Sequence, residues 1–146
     1  MMEGCRSEPL EAAFRATVYR IEAGSICFEL RIGQVNPSYD EFLANQGVSQ
    51  WAVITACNPG ARKRSAKENA EAQKALVGKL DGLGWLHLPA RNLADDALWP
   101  VEESVLVLGV SRHEARLMAI EFGQVACVTG VTGRVSELLW VSEQRD

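Results

Sequence analysis

Residues Trp51 to Ala56 form an almost wholly apolar run that ends abruptly on Asn58-Pro59-Gly60, and a long stretch of helical periodicity follows. A strand of that kind needs cover on both faces, which neither a lone hairpin nor a helical bundle supplies. The rest of the chain must therefore provide a sheet and helices to pack on it. Local signals mark where those helices begin. Ser65-Ala-Lys-Glu68 has the spacing of a capping box, in which the serine hydroxyl accepts from the glutamate amide and the glutamate reaches back. This helix is expected to run to about Leu83, with Gly84 as its stop. Trp85-Leu-His-Leu88 then reads as a strand, and residues 89–100 as irregular and acidic. Ser104 to Gly109 reads as a second buried strand. Ser111-Arg-His-Glu114 repeats the capping box ahead of a helix ending near Gly123.

Upstream, residues 17–22 and 26–32 alternate apolar and polar side chains around Ala23-Gly24-Ser25, the pattern of a hairpin with one wet face. Ser7 is placed to cap a short helix reaching Arg15, with Pro9 in its first turn. Tyr39, Phe42 and Leu43 give residues 37–45 one apolar side. Downstream, residues 124–129 and 135–141 are strands joined by the turn Gly130-Val-Thr-Gly133. The order predicts a single α/β domain over residues 8–141. It has a mixed β-sheet with an N-terminal hairpin, two strand-helix-strand units of crossover length, and helices packed on both faces. A two-layer α+β arrangement is the alternative. Residues 1–7 are expected to be a disordered amino terminus and residues 142–146 a polar tail.

The chain of 146 residues is long enough for one sizeable core, and its net charge of −4 argues against a nucleic-acid backbone as the main partner. No run approaches the roughly 18 apolar residues of a membrane span. The first residues lack a basic segment followed by an apolar block, so a cytoplasmic location is expected by default. Four cysteines stand far apart with no C-x-x-C pair, and only His87 and His113 are available beside them, so no metal site is expected. Nothing identifies a cofactor.

The polar residues that need explaining gather at the strand–helix junction. Thr55 and Asn58 lie at the carboxyl end of the apolar strand, a frequent ligand position in open α/β sheets. Pro59 is expected to hold Asn58 extended, with its side chain closing an Asx turn. Gly60 either supplies a positive φ or lets something approach the backbone. At about 100° per residue, positions 69, 73, 76, 80 and 83 share one line of the helix. Asn69 and Gln73 thus continue the apolar stripe beneath the turn, and Asn69 is expected to bond either the loop backbone or a ligand. Arg62, Lys63 and Arg64, with free amides around Ser65, would suit an anion such as phosphate, although the spacing is not that of a Walker loop. A solvated loop is the other reading. A second cluster is Trp99-Pro-Val-Glu-Glu-Ser104. One of Glu102 and Glu103 is expected to point toward the pocket, and Glu103 is the candidate acid or base. Trp99 reads as a lid or as packing, and Gln124 as a further amide of the same kind. Cys57 reads as an inward strand residue rather than a thiolate nucleophile. No G-x-S-x-G, H-E-x-x-H or G-x-G-x-x-G motif is present.

Taken together, these residues resemble the bacterial family called domain of unknown function 3293. The matching positions are Leu30-Arg-Ile-Gly33, Trp51-Ala-Val-Ile-Thr-Ala, Asn58-Pro59, Ser65, Asn69, Trp99-Pro100, Glu103-Ser104, Gly109-Val-Ser111 and Phe122-Gly-Gln124. The resemblance covers roughly residues 17–130 and implies a small soluble bacterial domain with no established activity. The family tends to carry an aromatic residue where Cys57 stands. The Asn-Pro-Gly loop is also similar to one in the uracil-DNA glycosylase superfamily. Here, however, two strands precede it, no second histidine-bearing loop follows, and the acidic balance fits poorly.

The expectation is a small-molecule-binding domain for a polar ligand, nucleotide-like or phosphorylated. Its pocket would join the Thr55–Asn69 region to Glu102–Ser104. Thr55, Asn58, Gly60, Arg62, Arg64, Ser65, Asn69, Trp99, Glu103 and Gln124 would line it, with Arg62 and Arg64 near an anionic group. The alternative is a protein-interaction or regulatory module in which Asn58 and Asn69 are structural and Trp99 anchors a partner. Whether the protein is an enzyme stays open.

Overall fold

The computed structural model describes residues 7–96 and 98–142. Except for Ser7 and Ser142, the termini expected to be disordered or polar lie outside these residues. The described elements are α1 (Glu8–Ala16), β1 (Val18–Ala23), β2 (Ile26–Leu30), α2 (Pro37–Asn45), β3 (Gln50–Ile54), a short 3₁₀ turn (Pro59–Ala61), α3 (Ala66–Leu83), β4 (His87–Leu93), β5 (Glu102–Leu108), α4 (Arg112–Glu121), β6 (Ala126–Val131) and β7 (Glu137–Trp140). The serines that cap these helices behave as their spacing demands. Ser7 accepts from the Leu10 amide, while Ser65 and Ser111 close reciprocal boxes with Glu68 and Glu114. Asn36 caps α2 by accepting from the Tyr39 amide.

The strands form a seven-stranded sheet in the order β2-β1-β4-β5-β3-β6-β7. Both strand–helix–strand units are present, and each crossover skips one strand. β3 and β4 point the same way with β5 between them, and β5 and β6 do so with β3 between them, so every ladder is antiparallel. The four inner strands thus have the double split β-α-β order of ferredoxin-like folds, extended at both ends. Two of the three pairings between these strands, β3–β5 and β3–β6, join strands that are not consecutive in the chain, yet the result is one α/β domain.

Alternation along the strands separates two apolar layers. Ala52, Ile54, Val105, Val107 and Cys127 face α3 and α4, meeting Leu76, Leu80, Ala115 and Ala119. Trp51, Val53, Leu106 and Val128 face the other way, where the sheet curls around Tyr39 and Leu43 of α2. The curl brings the two ends of the sheet close: Ile32 bridges Ser136, and the Gly33 amide donates to the Ser136 carbonyl at 2.8 Å. Gly130 stands opposite Trp51 in the β3–β6 register, and any side chain there would overlap the indole ring. α1 covers one end of this layer. Its Phe14 packs edge-on against Trp140, with ring centroids 5.6 Å apart.

Two local expectations need correction. β4 does not stop at Leu88 but runs through Pro89 to Leu93, taking in residues that read as irregular. The Leu108 amide donates to the Leu86 carbonyl, so by alternation the nitrogen of Pro89 faces the β1 side. The β1–β4 ladder ends at Ile21–Ala90, and the missing N–H therefore forfeits no ladder bond. Leu83, assigned to the core stripe of α3, is 62% exposed, because the helix outlasts the sheet beneath it.

Candidate functional site

Because β3 and β5 are antiparallel, the end of β3 lies beside the start of β5, and Ile54 pairs with Val105. That pairing brings together the two polar clusters, 44 residues apart in sequence from Asn58 to Glu102. The loop leaving β3 is bound at each step. The Thr55 hydroxyl donates to the Glu103 carbonyl at 2.7 Å and accepts from the Cys57 amide at 3.0 Å. Gln73 accepts from the Ala56 amide at 3.2 Å, and Gln124 donates to the Cys57 carbonyl at 3.0 Å. The Gly60 amide donates to the Gly123 carbonyl at 2.8 Å.

Asn58 is not extended, as its place before proline suggests, but left-handed, with φ 48° and ψ 58°. Gly60 and Ala61 also have positive φ. Asparagine tolerates this region better than most residues, and here its side chain offsets the strain. The Asn58 amide N–H donates to Asn69 Oδ1 at 2.8 Å, and Asn69 Nδ2 donates back to Asn58 Oδ1 at 2.9 Å. The same Oδ1 accepts from the Arg64 amide at 2.8 Å. With both Oδ1 lone pairs used, the amide is fixed in orientation, and its Nδ2 donates to Glu102 Oε2 at 2.6 Å.

Glu102, not Glu103, is thus the carboxylate that enters the cluster. Glu103 stands on the opposite face of β5, largely exposed, 3.5 Å from Arg91. Glu102 shares a face with Ser104 and Leu106. The polar groups of Asn92 and Trp99 also favour its ionised form. The Ser104 hydroxyl, in turn, donates to Asn92 Oδ1 at 2.8 Å, which fixes the Asn92 amide. Burial raises the Glu102 carboxyl above the usual carboxylate range, and the polar groups of Asn58, Trp99 and Asn92 offset only part of that rise. The Cys57 thiol is likewise pushed up by burial, away from thiolate chemistry.

Glu102 lies in the wall of a cavity of about 520 Å³. One side is α1, through Leu10, Ala13 and Phe14; the others are Thr17, Tyr19, Ala61, Asn92, residues 94–96, Trp99 and Val125. The volume suits a small molecule, and the lining is apolar apart from a few convergent polar groups. A carboxyl held there with a raised pKa can act as a hydrogen-bond acceptor, a counter-charge or a proton donor. Lys63 fastens the rim. Its ammonium donates to the Leu98 carbonyl at 2.8 Å and sits 5.4 Å from the centroid of the Trp99 ring.

Of the ten residues expected to line the pocket, Trp99 alone lines this cavity, joined by Glu102, which the sequence offered beside Glu103. Asn58 reaches it through Glu102, whereas Thr55, Asn69, Gly60 and Gln124 use their polar groups to hold the loop to itself and to its neighbours. Ser65 caps α3, and Arg64 lies 3.6 Å from Glu68; neither they nor Arg62 are among the lining residues. Sequence reasoning missed Asn92, Tyr19 and the inner face of α1. The usable signal was Ser104, a polar residue inside an apolar strand, whose parity marks Glu102 as its neighbour on the inner face.

Fold and site define an α/β domain with a curled antiparallel sheet and an acid-lined cavity beneath its first helix. Residues 54–127, about half of the chain, match the family described as Protein of unknown function (DUF3293), and the chain belongs to that family. No curated protein and no solved structure matches it. Among the described residues, no helix is long and apolar enough to cross a membrane.

Proposed function

We propose that this domain binds a small molecule with an apolar body and a polar head in the cavity between α1 and residues 94–102, with the head on Glu102. One observation carries the reading: at the wall of a mostly apolar cavity a carboxylate is largely withdrawn from solvent and held by the Asn58 amide. Packing alone would be served better by an uncharged side chain, since a buried charge weakens a fold unless something compensates it. Perturbed carboxyls in concave sites are a recurring mark of binding or proton transfer. This moves the ligand away from the nucleotide-like or phosphorylated one suggested by Arg62 and Arg64, which do not line the chamber. Glu102 takes over the acid–base candidacy from Glu103.

A thermal-shift screen of a fragment library tests the reading. Ala13 is exposed on α1 and lines the cavity, so Ala13→Trp fills the space without touching the core. The reading predicts compounds that raise the melting temperature of the wild type by about 2 °C or more and leave Ala13→Trp unmoved. Compounds that stabilise both proteins equally, or a screen without a single stabiliser, would contradict it.

A further inference from the structure

We infer that the head group taken by this cavity is an organic ammonium; the inference rests on the binding reading above and specifies its ligand class. The charged side chains lining the chamber are Asp95, Asp96 and Glu102, and no lysine, arginine or histidine is among them. Cations do stand on or touch the segments that frame it: Arg15 on α1 pairs with Glu11, and Arg91 on β4 pairs with Glu22 and Glu103. Lys63 spends its ammonium on the Leu98 carbonyl, and Arg31 donates to the Ala16 carbonyl at 3.4 Å. The interior field is therefore negative. An anionic head would meet Glu102 with like charge, and a neutral head would leave that carboxylate without a counter-charge.

The walls point the same way. Phe14, Tyr19 and Trp99 all line the cavity, and aromatic faces attract cations through their quadrupoles. Trp99 already shows this by holding the Lys63 ammonium 5.4 Å from its centroid. A metal ion is a poorer match. Among the described residues, no three histidine, cysteine, aspartate or glutamate side chains converge as ligands. A volume of about 520 Å³ also leaves room for an apolar body against Leu10, Ala13 and Val125, which an inorganic ion would not fill. Aromatic walls, a partly buried carboxylate with two exposed aspartates beside it, and an apolar remainder together form a receptor for an amine carried on a hydrocarbon or aromatic group.

Matched sets differing only in the head group test this: tryptamine, tryptophol and indole-3-acetate, with phenethylamine, 2-phenylethanol and phenylacetate. Binding is measured by NMR titration and calorimetry at pH 7, with Ala13→Trp showing which signals belong to the cavity. The amines are expected to bind at least about tenfold more tightly than their alcohols, and the acids more weakly still. In Glu102→Gln the amine preference falls to about twofold or less. The comparison within the wild type stands even if that variant does not fold. Alcohols or acids binding the cavity as tightly as the amines would overturn the head-group assignment while leaving the pocket in place. Failure of all six, beside library fragments that Ala13→Trp excludes, would overturn the assignment alone. Failure of both experiments would remove the pocket as well.

Discussion

Glu102 is the residue on which the rest of the site converges. Asn58 turns its NH₂ to it because both lone pairs of the Asn58 amide oxygen are already taken, and Ser104 fixes the amide of the neighbouring Asn92 by donating to its oxygen. Each amide is directed by a neighbour, so the carboxylate has a preset orientation. Its cost shows in pH dependence. A carboxyl whose folded-state pKa lies above the unfolded value favours folding while protonated, and that contribution disappears as pH rises through the folded value. Wild type should thus lose melting temperature relative to Glu102→Gln as pH rises from about 4, the unfolded range. The gap should change by a few degrees and flatten once Glu102 is ionised. A gap that stays constant across this range would show that the carboxylate bears no desolvation penalty.

At the scale of elements, the β3–α3 junction is what aims Asn58. Asn69 lies one turn into α3 and binds both the backbone and the side chain of Asn58, so the helix and the left-handed loop are one unit. Replacing Asn69 by leucine strands the buried Asn58 amide and should cost about 2 kcal/mol, read as a lower denaturation midpoint at unchanged slope. Unchanged stability would mean that the loop holds itself. How far these elements were legible follows from the range of the interactions that form them. The boxes at Ser65 and Ser111 span three residues, and both helix starts could be read directly. The apolar run at Trp51 revealed a buried strand for the same reason. Pro89 misled, because whether a strand tolerates proline depends on where the neighbouring ladder stops. Asn58 misled as well: the rule for residues before proline is local, and here four hydrogen bonds with Arg64, Asn69 and Glu102 outweigh it.

The whole molecule explains what remained hidden. The meeting of the Asn58 loop with the Glu102 segment follows from β3 and β5 pairing in antiparallel fashion, and the sequence hints at this through two polar clusters flanking buried strands. The cavity has no such signature. Its walls come from α1, β1, the end of β4 and the segment before β5, and only the curl of the sheet brings them around one space. α1 closes that space although none of its own residues is fully buried. The family match over residues 54–127 includes Trp99 and Glu102 but leaves out α1, so the acid and its cover come from different parts of the chain. The claim that this chamber is a ligand site is tested most directly by mapping amide shifts during a tryptamine titration. The account predicts perturbations concentrated at Leu10, Ala13, Tyr19, Asn92, Trp99 and Glu102. Shifts confined instead to the exposed Arg62–Ser65 face, or no shifts at all, would contradict it.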